Sequence, residues 1–149
     1  MIPDQVIAII NEKLGDKVED YLIPPPVFTS MQGEFVELAL DDGVLVTRFP
    51  VRREYLNPYG AVQGGIVAAA VDNTLGPLSM LVAPPNVTRI LEMKYSRPVT
   101  PELEYVTVKA KFMEQQGQFL HFRAEVRDMA GNLLARAKAT HWVLDEDKS

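Results

Sequence analysis

NPYGAVQGGIVAAAVDN, running from Asn57 to Asn73, sets a polar turn, a Gly-Gly pair, a small apolar run and one carboxylate in a fixed order. Asn57, Pro58, Tyr59 and Gly60 are turn formers. Gly64 and Gly65 then open Ile66 to Val71, a run without a polar side chain, which Asp72 and Asn73 interrupt. A helix starting at the glycines would present unpaired backbone N–H groups and the positive end of its dipole. Glycine there lets a ligand carbonyl approach closely. Asp72 follows eight residues after Gly64, roughly 12 Å along a helix axis. A donor and a carboxylate that far apart cannot act on one small group within one chain. Two antiparallel copies of the helix could bring Gly64 of one against Asp72 of the other. If this constellation is catalytic, the protein is at least a dimer.

The flanking sequence supplies a sheet for that helix. Ile2, Val6, Ile9, Ile10 and Leu14 recur at helical spacing until Gly15, with Asp4 placed to cap. The tract Pro24 to Pro26 reads as an extended linker. Glu34 to Leu40 alternates, Asp41-Asp42-Gly43 signals a hairpin turn, and Val44 to Pro50 is the partner strand. The apolar helix should run to about Val82, with a kink or an end near Leu75 to Pro77, because Pro77 has no N–H for the carbonyl of Asn73. Four strands follow: Thr88 to Ser96, Leu103 to Glu114, Phe119 to Asp128 and Leu133 to Leu144. Turns at Gly117 and Gly131 separate the last three. Val106, Val108, Ala110 and Phe112 share one face, as do Leu120, Phe122, Ala124 and Val126. On the last strand Ala135, Ala137 and Ala139 leave room for a close-packed helix, while Arg136, Lys138 and Thr140 face the other way. An antiparallel sheet with one long apolar helix across it is an α+β layer pair.

At 149 residues and 47% hydrophobic, the chain is expected to form one globular domain with a real core. A net charge of −5 argues against a general nucleic-acid partner. No apolar run is expected to reach membrane-span length. The early acids of the N-terminus do not match a signal peptide. A soluble, cytoplasmic protein without a membrane partner is the expectation. There is no cysteine, hence no thiol nucleophile. Neither His121 nor His141 has a metal ligand near it in sequence, so no metal is expected and both are read as structural. No serine stands in a nucleophile elbow.

The ordered set of motifs resembles the hotdog-fold acyl-CoA thioesterases, in particular the PaaI-like, phenylacetyl-CoA group. Those proteins show an Asn, then His-Gly-Gly, then an Asp eight residues after the first Gly. Asn57, Gln63, Gly64, Gly65 and Asp72 fall at the matching positions, with Gln63 where the family has His. TRILEMKYSRPV, Thr88 to Val99, resembles the strand after the central helix. AEVRDMAGNLLARAKATHWV, Ala124 to Val143, resembles the last hairpin. The resemblance covers roughly Glu34 to Val143. It implies a six-stranded antiparallel curved sheet wrapped around one long helix. The chain then divides into residues 1–30, an N-terminal helix and Pro-rich linker, and residues 31–149, the hotdog domain.

The resemblance also implies roles. Asp72 would act as general base on water or attack the thioester carbonyl itself. The Gly64 N–H would bond the developing oxyanion. Asn57 would hold the water or the carbonyl by its amide; the plain alternative is a turn residue before Pro58. Gln63 could orient substrate but cannot titrate near neutral pH. Thr88 matches a position where some members place a hydroxyl near the attacking water. Gly65 and Asn73 join the substrate contacts. Asp72 is expected to be buried, since its helix is otherwise so apolar. Lys94, Arg97, Arg136 and Lys138 could form a positive patch for coenzyme A phosphates, each one otherwise a residue of a solvated strand face. The expected substrate is an acyl-CoA, its acyl group in an apolar tunnel between protomers. No cofactor is needed beyond the coenzyme A of the substrate. A homodimer, or a dimer of dimers, is expected. The alternatives are a non-catalytic acyl-thioester binder, which Gln63 in place of the family His leaves open, and, ranked lower, a hydratase or dehydratase of the same fold, which would pair a His with the carboxylate where the motif here has none near Asp72.

Overall fold

In the computed structural model, residues 2–144 are described; residue 1 and residues 145–149 of the expected segments lie outside them. The alternating stretches pair as expected. β1 (Glu34–Ala39) and β2 (Val44–Pro50) form the first hairpin, turned at Gly43 with φ 66°. α3 (Gly64–Val82) follows, after α1 (Asp4–Leu14) and α2 (Pro26–Ser30) at the N-terminus. β3 (Asn86–Tyr95), β4 (Tyr105–Gln116), β5 (Phe119–Arg127) and β6 (Leu133–Val143) complete the chain. The six strands form one sheet in the order β1-β2-β4-β5-β6-β3, antiparallel throughout. Bulges such as those at Thr88/Ile90 and Phe112/Glu114 bend the strands. The result is a curved sheet around a central helix.

The helix presents Val67, Ala70, Val71, Thr74, Leu75 and Leu78 as one buried stripe. It packs on Leu45, Val108, Ala110, Leu120, Phe122, Ala124 and the three small side chains Ala135, Ala137 and Ala139. One polar contact crosses this layer. The Thr74 hydroxyl donates to the Ala70 carbonyl at 2.9 Å, so the buried Thr47 hydroxyl, 2.7 Å away, donates to Thr74 Oγ1. Gly33 is held without a side chain because Phe28 and Phe49 close over it; a Cβ there would stand 2.7–2.8 Å from their rings.

Four sequence expectations change. Of the two outcomes expected near Pro77, a kink or an end, the end does not occur: α3 runs through Pro77 to Val82, where the apolar run was expected to stop. Leu75 and Leu78 on either side are fully buried, and tertiary packing outweighs one missing hydrogen bond. The same helix, 19 residues with a mean hydropathy of 1.4, is long and apolar enough to cross a membrane by length and composition. It is the core helix here, half buried within the fold. Asp4 is the first residue of α1 and not its cap; Pro3 holds that place without a side-chain cap bond. The proline tract is not wholly extended, since Pro26 opens α2 at a position where its missing N–H costs nothing.

α1 closes one end of the molecule. Val6 and Ile10 pack on Leu81, with Ile2, Leu14, Ile23 and Phe35 around them. Lys13 Nζ donates to the Ala83 carbonyl at 3.3 Å, capping the end of α3. At the far edge of the sheet β3 is paired on one side only, and Val87, Ile90 and Tyr95 are about half exposed along it.

Candidate active site

The loop before α3 is pinned to its own backbone. Asn57 Oδ1 accepts from the N–H of Tyr59 at 2.9 Å and of Ala61 at 3.2 Å. Gly60, at φ 80°, closes the turn. Asn57 therefore shapes the loop with its amide oxygen. The Gln63 N–H donates to Tyr55 O at 2.8 Å and the Val62 N–H to Val99 O at 2.8 Å. These bonds fix where α3 starts. Gln63 is its N-cap by backbone; its carbonyl takes the N–H of Ile66 and Val67, and its exposed side chain makes no cap bond. The N–H groups of Gly64 and Gly65 lie in the first turn, ahead of those intrahelical bonds. Tyr95 reaches across from β3 and its Oη donates to Gly64 O at 2.6 Å. Burial pushes the Tyr95 pKa up, which keeps it a donor. A Cβ on Gly64 would press on that ring at 3.2 Å, whereas Gly65 opens to free space.

Asp72 lies about two turns further along α3. It is exposed, not buried as the apolar context implied. The buried stripe takes the sheet-facing positions, and Gly65 and Asp72, seven apart, fall on the side that the sheet leaves uncovered. The side chain is not isolated. Thr88, on β3, donates its hydroxyl to Asp72 Oδ1 at 3.0 Å. Thr88 Oγ1 is also 3.3 Å from Nε2 of His141. His141 is its register partner on β6 and is 1% exposed. Its Nδ1 lies 2.7 Å from Asn86 Oδ1, and the Phe122 ring lies 4.8 Å away. Burial lowers the His141 pKa from the usual imidazole value, and the Asp72 charge pulls it part of the way back.

Sequence reading placed His141 among structural residues and did not single out Asn86. The signal for His141 was its parity. It continues the inward series Ala135, Ala137, Ala139, so a polar ring at the end of that face had to meet a partner. The partner depends on strand register across more than fifty residues, which no local pattern carries.

Asp72, Thr88 and His141 border a cavity of about 380 Å³. Its other walls are largely apolar: Val6 and Ile10 of α1, Leu22 and Ile23 of the linker, Phe28, Phe35 and Met80. The N-terminal segment thus roofs a hollow beside the carboxylate. Asn73 also lines it, with Nδ2 donating to Ala69 O at 2.9 Å and contacting Met31 Sδ.

The four basic candidates stay apart from Asp72 within one chain. Lys94 and Arg136 are cross-strand partners and Lys138 faces Glu92 one outward rung away. Lys94 stands six residues from Thr88, roughly 20 Å along the strand. Arg97 lies beyond the strand, close enough to Asp128 to help depress its pKa, after the hydrogen bonds from Asn132. Gly64, too, stands about two helical turns from the Asp72–Thr88–His141 cluster, at the start of α3.

Comparison with known proteins matches this geometry to a family. The family model described as the Thioesterase superfamily matches residues 59–135, just over half of the chain. No curated protein matched. Among solved structures, a putative thioesterase, a phenylacetic acid degradation-related protein from Ralstonia eutropha JMP134, superposes with a TM-score of 0.76 at 23% identity. That match covers 91% of this chain and 98% of that one. The PaaI protein of the E. coli phenylacetic acid degradation operon gives 0.75 at 13% identity, covering 93% and 95%. A point mutant of the phenylacetic acid degradation protein PaaI from Thermus thermophilus gives 0.72 at 24% identity, covering 80% and 100%. These neighbours share the hotdog fold, the six-stranded sheet about a central helix seen here. With the family match running from the glycine loop to the last strand, through both Gly64 and Asp72, the chain belongs to the Thioesterase superfamily.

Proposed function

We propose that this protein hydrolyses acyl-CoA thioesters to the free acid and coenzyme A. The observation that carries the reading is the position of Asp72. It is the carboxylate on the wall of a mainly apolar cavity, with one oxygen held by the Thr88 hydroxyl at 3.0 Å. Asp72 takes a proton from water, the water oxygen bonds to the thioester carbon, and the C–S bond breaks with its electron pair leaving on sulfur. The proton then goes from Asp72 to the departing thiolate, giving the thiol and restoring the carboxylate. First-turn N–H groups at Gly64 and Gly65 bind the oxygen as it gains charge. The acyl group occupies the cavity under α1 and the linker.

The oxyanion donors come from a second copy. β3 is a ten-residue edge strand with exposed apolar side chains, an edge that invites pairing. An antiparallel pairing of two β3 strands, centred between Leu91 and Glu92, sets Thr88 opposite Tyr95 of the partner subunit. Since Tyr95 is bonded to Gly64, that register also brings Asp72 to the first turn of the other helix. It carries the partner's Lys94 and Arg136 to the same end, where with Arg97 and Lys138 they are positioned to meet coenzyme A phosphates. A hydratase would present an imidazole to substrate, whereas both His141 nitrogens here face protein atoms.

The test is thiol release from a panel of aliphatic and aromatic acyl-CoAs. Turnover on at least one supports hydrolysis. Binding without turnover on any of them supports the non-catalytic acyl-thioester binder.

A further inference from the structure

Asn86 fixes the tautomer of His141. Its Nδ2 faces two carbonyl oxygens, Pro84 O at 2.8 Å and Ser79 O at 3.3 Å. Turning the amide over would set its oxygen against both, so the atom facing the imidazole is Oδ1. An acceptor 2.7 Å from Nδ1 requires the hydrogen on Nδ1. In the neutral ring Nε2 is then an acceptor. Thr88 thus stands between two acceptors, Asp72 Oδ1 at 3.0 Å and His141 Nε2 at 3.3 Å, with one hydroxyl hydrogen to give. With Asp72 ionised and His141 neutral, one of the two links lacks a hydrogen.

One added proton fills both links, in either of two ways. The Asp72 carboxyl donates to Thr88 while Thr88 donates to Nε2. Alternatively Thr88 donates to the carboxylate while an imidazolium donates to Thr88. The two arrangements interconvert when the added proton and the Thr88 hydrogen shift in the same direction. We propose that Asp72, Thr88 and His141 form a relay that holds the single proton drawn from the attacking water, with His141 as a positioning residue acting through Thr88. The relay rests on the hydrolase reading above and deepens it. The proton leaves water for Asp72 Oδ1, Thr88 Oγ1 receives it, and the Thr88 hydrogen passes to Nε2. The Asp72 carboxylate is restored beside the tetrahedral intermediate. Reversal of the relay returns the proton to Asp72 and from there to the leaving sulfur, so none is gained or lost.

The surroundings suit a store for one proton. α3 presents Asp72 to the ring, β3 presents Thr88 and Asn86, and β5 presents Phe122 and Leu120. Asp72 is the charged member of that set. Burial keeps His141 neutral at rest, and the nearby carboxylate favours its protonated form.

Solvent-isotope kinetics test the relay. Wild type is expected to show a curved proton inventory on kcat, from more than one proton in motion. His141→Gln and Thr88→Val are expected to lose at least about tenfold in kcat with little change in KM, less than the roughly hundredfold or more of losing a base outright. Both should give linear inventories, and Thr88→Ser, which keeps the hydroxyl, should restore the curvature. Ring-nitrogen NMR of the resting protein should show the Nδ1–H tautomer, with a His141 pKa that falls in Asp72→Asn. An Nε2–H tautomer, or a His141→Gln variant with wild-type kcat and curvature, overturns the relay. A wild type silent on every thioester, yet with the expected tautomer and Asp72-dependent titration, overturns the hydrolase reading instead.

Discussion

The Thr88 hydroxyl donates to the Asp72 carboxylate at 3.0 Å, joining the open edge of the sheet to the middle of the core helix. Whatever pairs with β3 therefore meets Asp72 as well. On the proposed reading the carboxylate and the pairing edge are one surface, which would account for an ionisable side chain on so apolar a helix.

Shared sites follow from that surface. Asp72→Asn and Gly64→Pro should each inactivate, the second by removing an N–H. Gln63 already has the extended backbone, φ −56° and ψ 137°, that a following proline requires. Mixed and refolded together, the two variants should regain about half of wild-type activity per heterodimer, because one site carries both lesions and the other neither. No recovery from a dimer that sedimentation shows to be intact would place both residues in one chain.

The Thr47–Thr74 contact is expected to behave as a unit. Thr74→Val leaves the buried Thr47 hydroxyl without its acceptor, and urea unfolding should show a loss of about 1–3 kcal/mol. The double variant Thr47→Val with Thr74→Val should lose less than the two single losses added together. Strict additivity would mean that the two hydroxyls are energetically independent.

Much of this was legible in the sequence. Period-two alternation marked β1, β4, β5 and β6 within a few residues, and the inward series on β4, β5 and β6 is legible because each of those strands buries one face; β2 is buried along most of its length and was marked instead by the turn at Asp41-Asp42-Gly43. The start of α3 was marked by Gly64 and its end by Pro84-Pro85. The helix reaches Val82, as expected, without ending at Pro77: the proline rule is local, while Leu75 and Leu78 are held by the sheet. The site divided along the same line. Asp72 and Gly64 stand in one contiguous motif and could be found there. Asn86 and His141 meet Asp72 only through the β3–β6 register, and the cavity needs α1 folded back over α3.

Stability should depend on pH through His141. Its folded pKa lies below the unfolded value of 6.5, so the unfolded chain binds more protons in the interval between them. Stability is then fully present above about 6.5 and falls as the pH drops from there toward the folded pKa. Relative to His141→Gln, wild type should lose unfolding free energy between about pH 7 and the acid side of that window. A difference between the two proteins that stays constant with pH would show that His141 titrates alike folded and unfolded.

The proposed role of Asp72 in thioester hydrolysis is measured most directly by steady-state turnover of acyl-CoA by wild type and Asp72→Asn. The substitution keeps shape and removes the charge, so melting temperature and dimer content should stay close to wild type. The expected result is measurable wild-type turnover and a fall in kcat of roughly a hundredfold or more, the scale of a lost acid–base group. An Asp72→Asn variant that keeps near-full turnover would contradict the account.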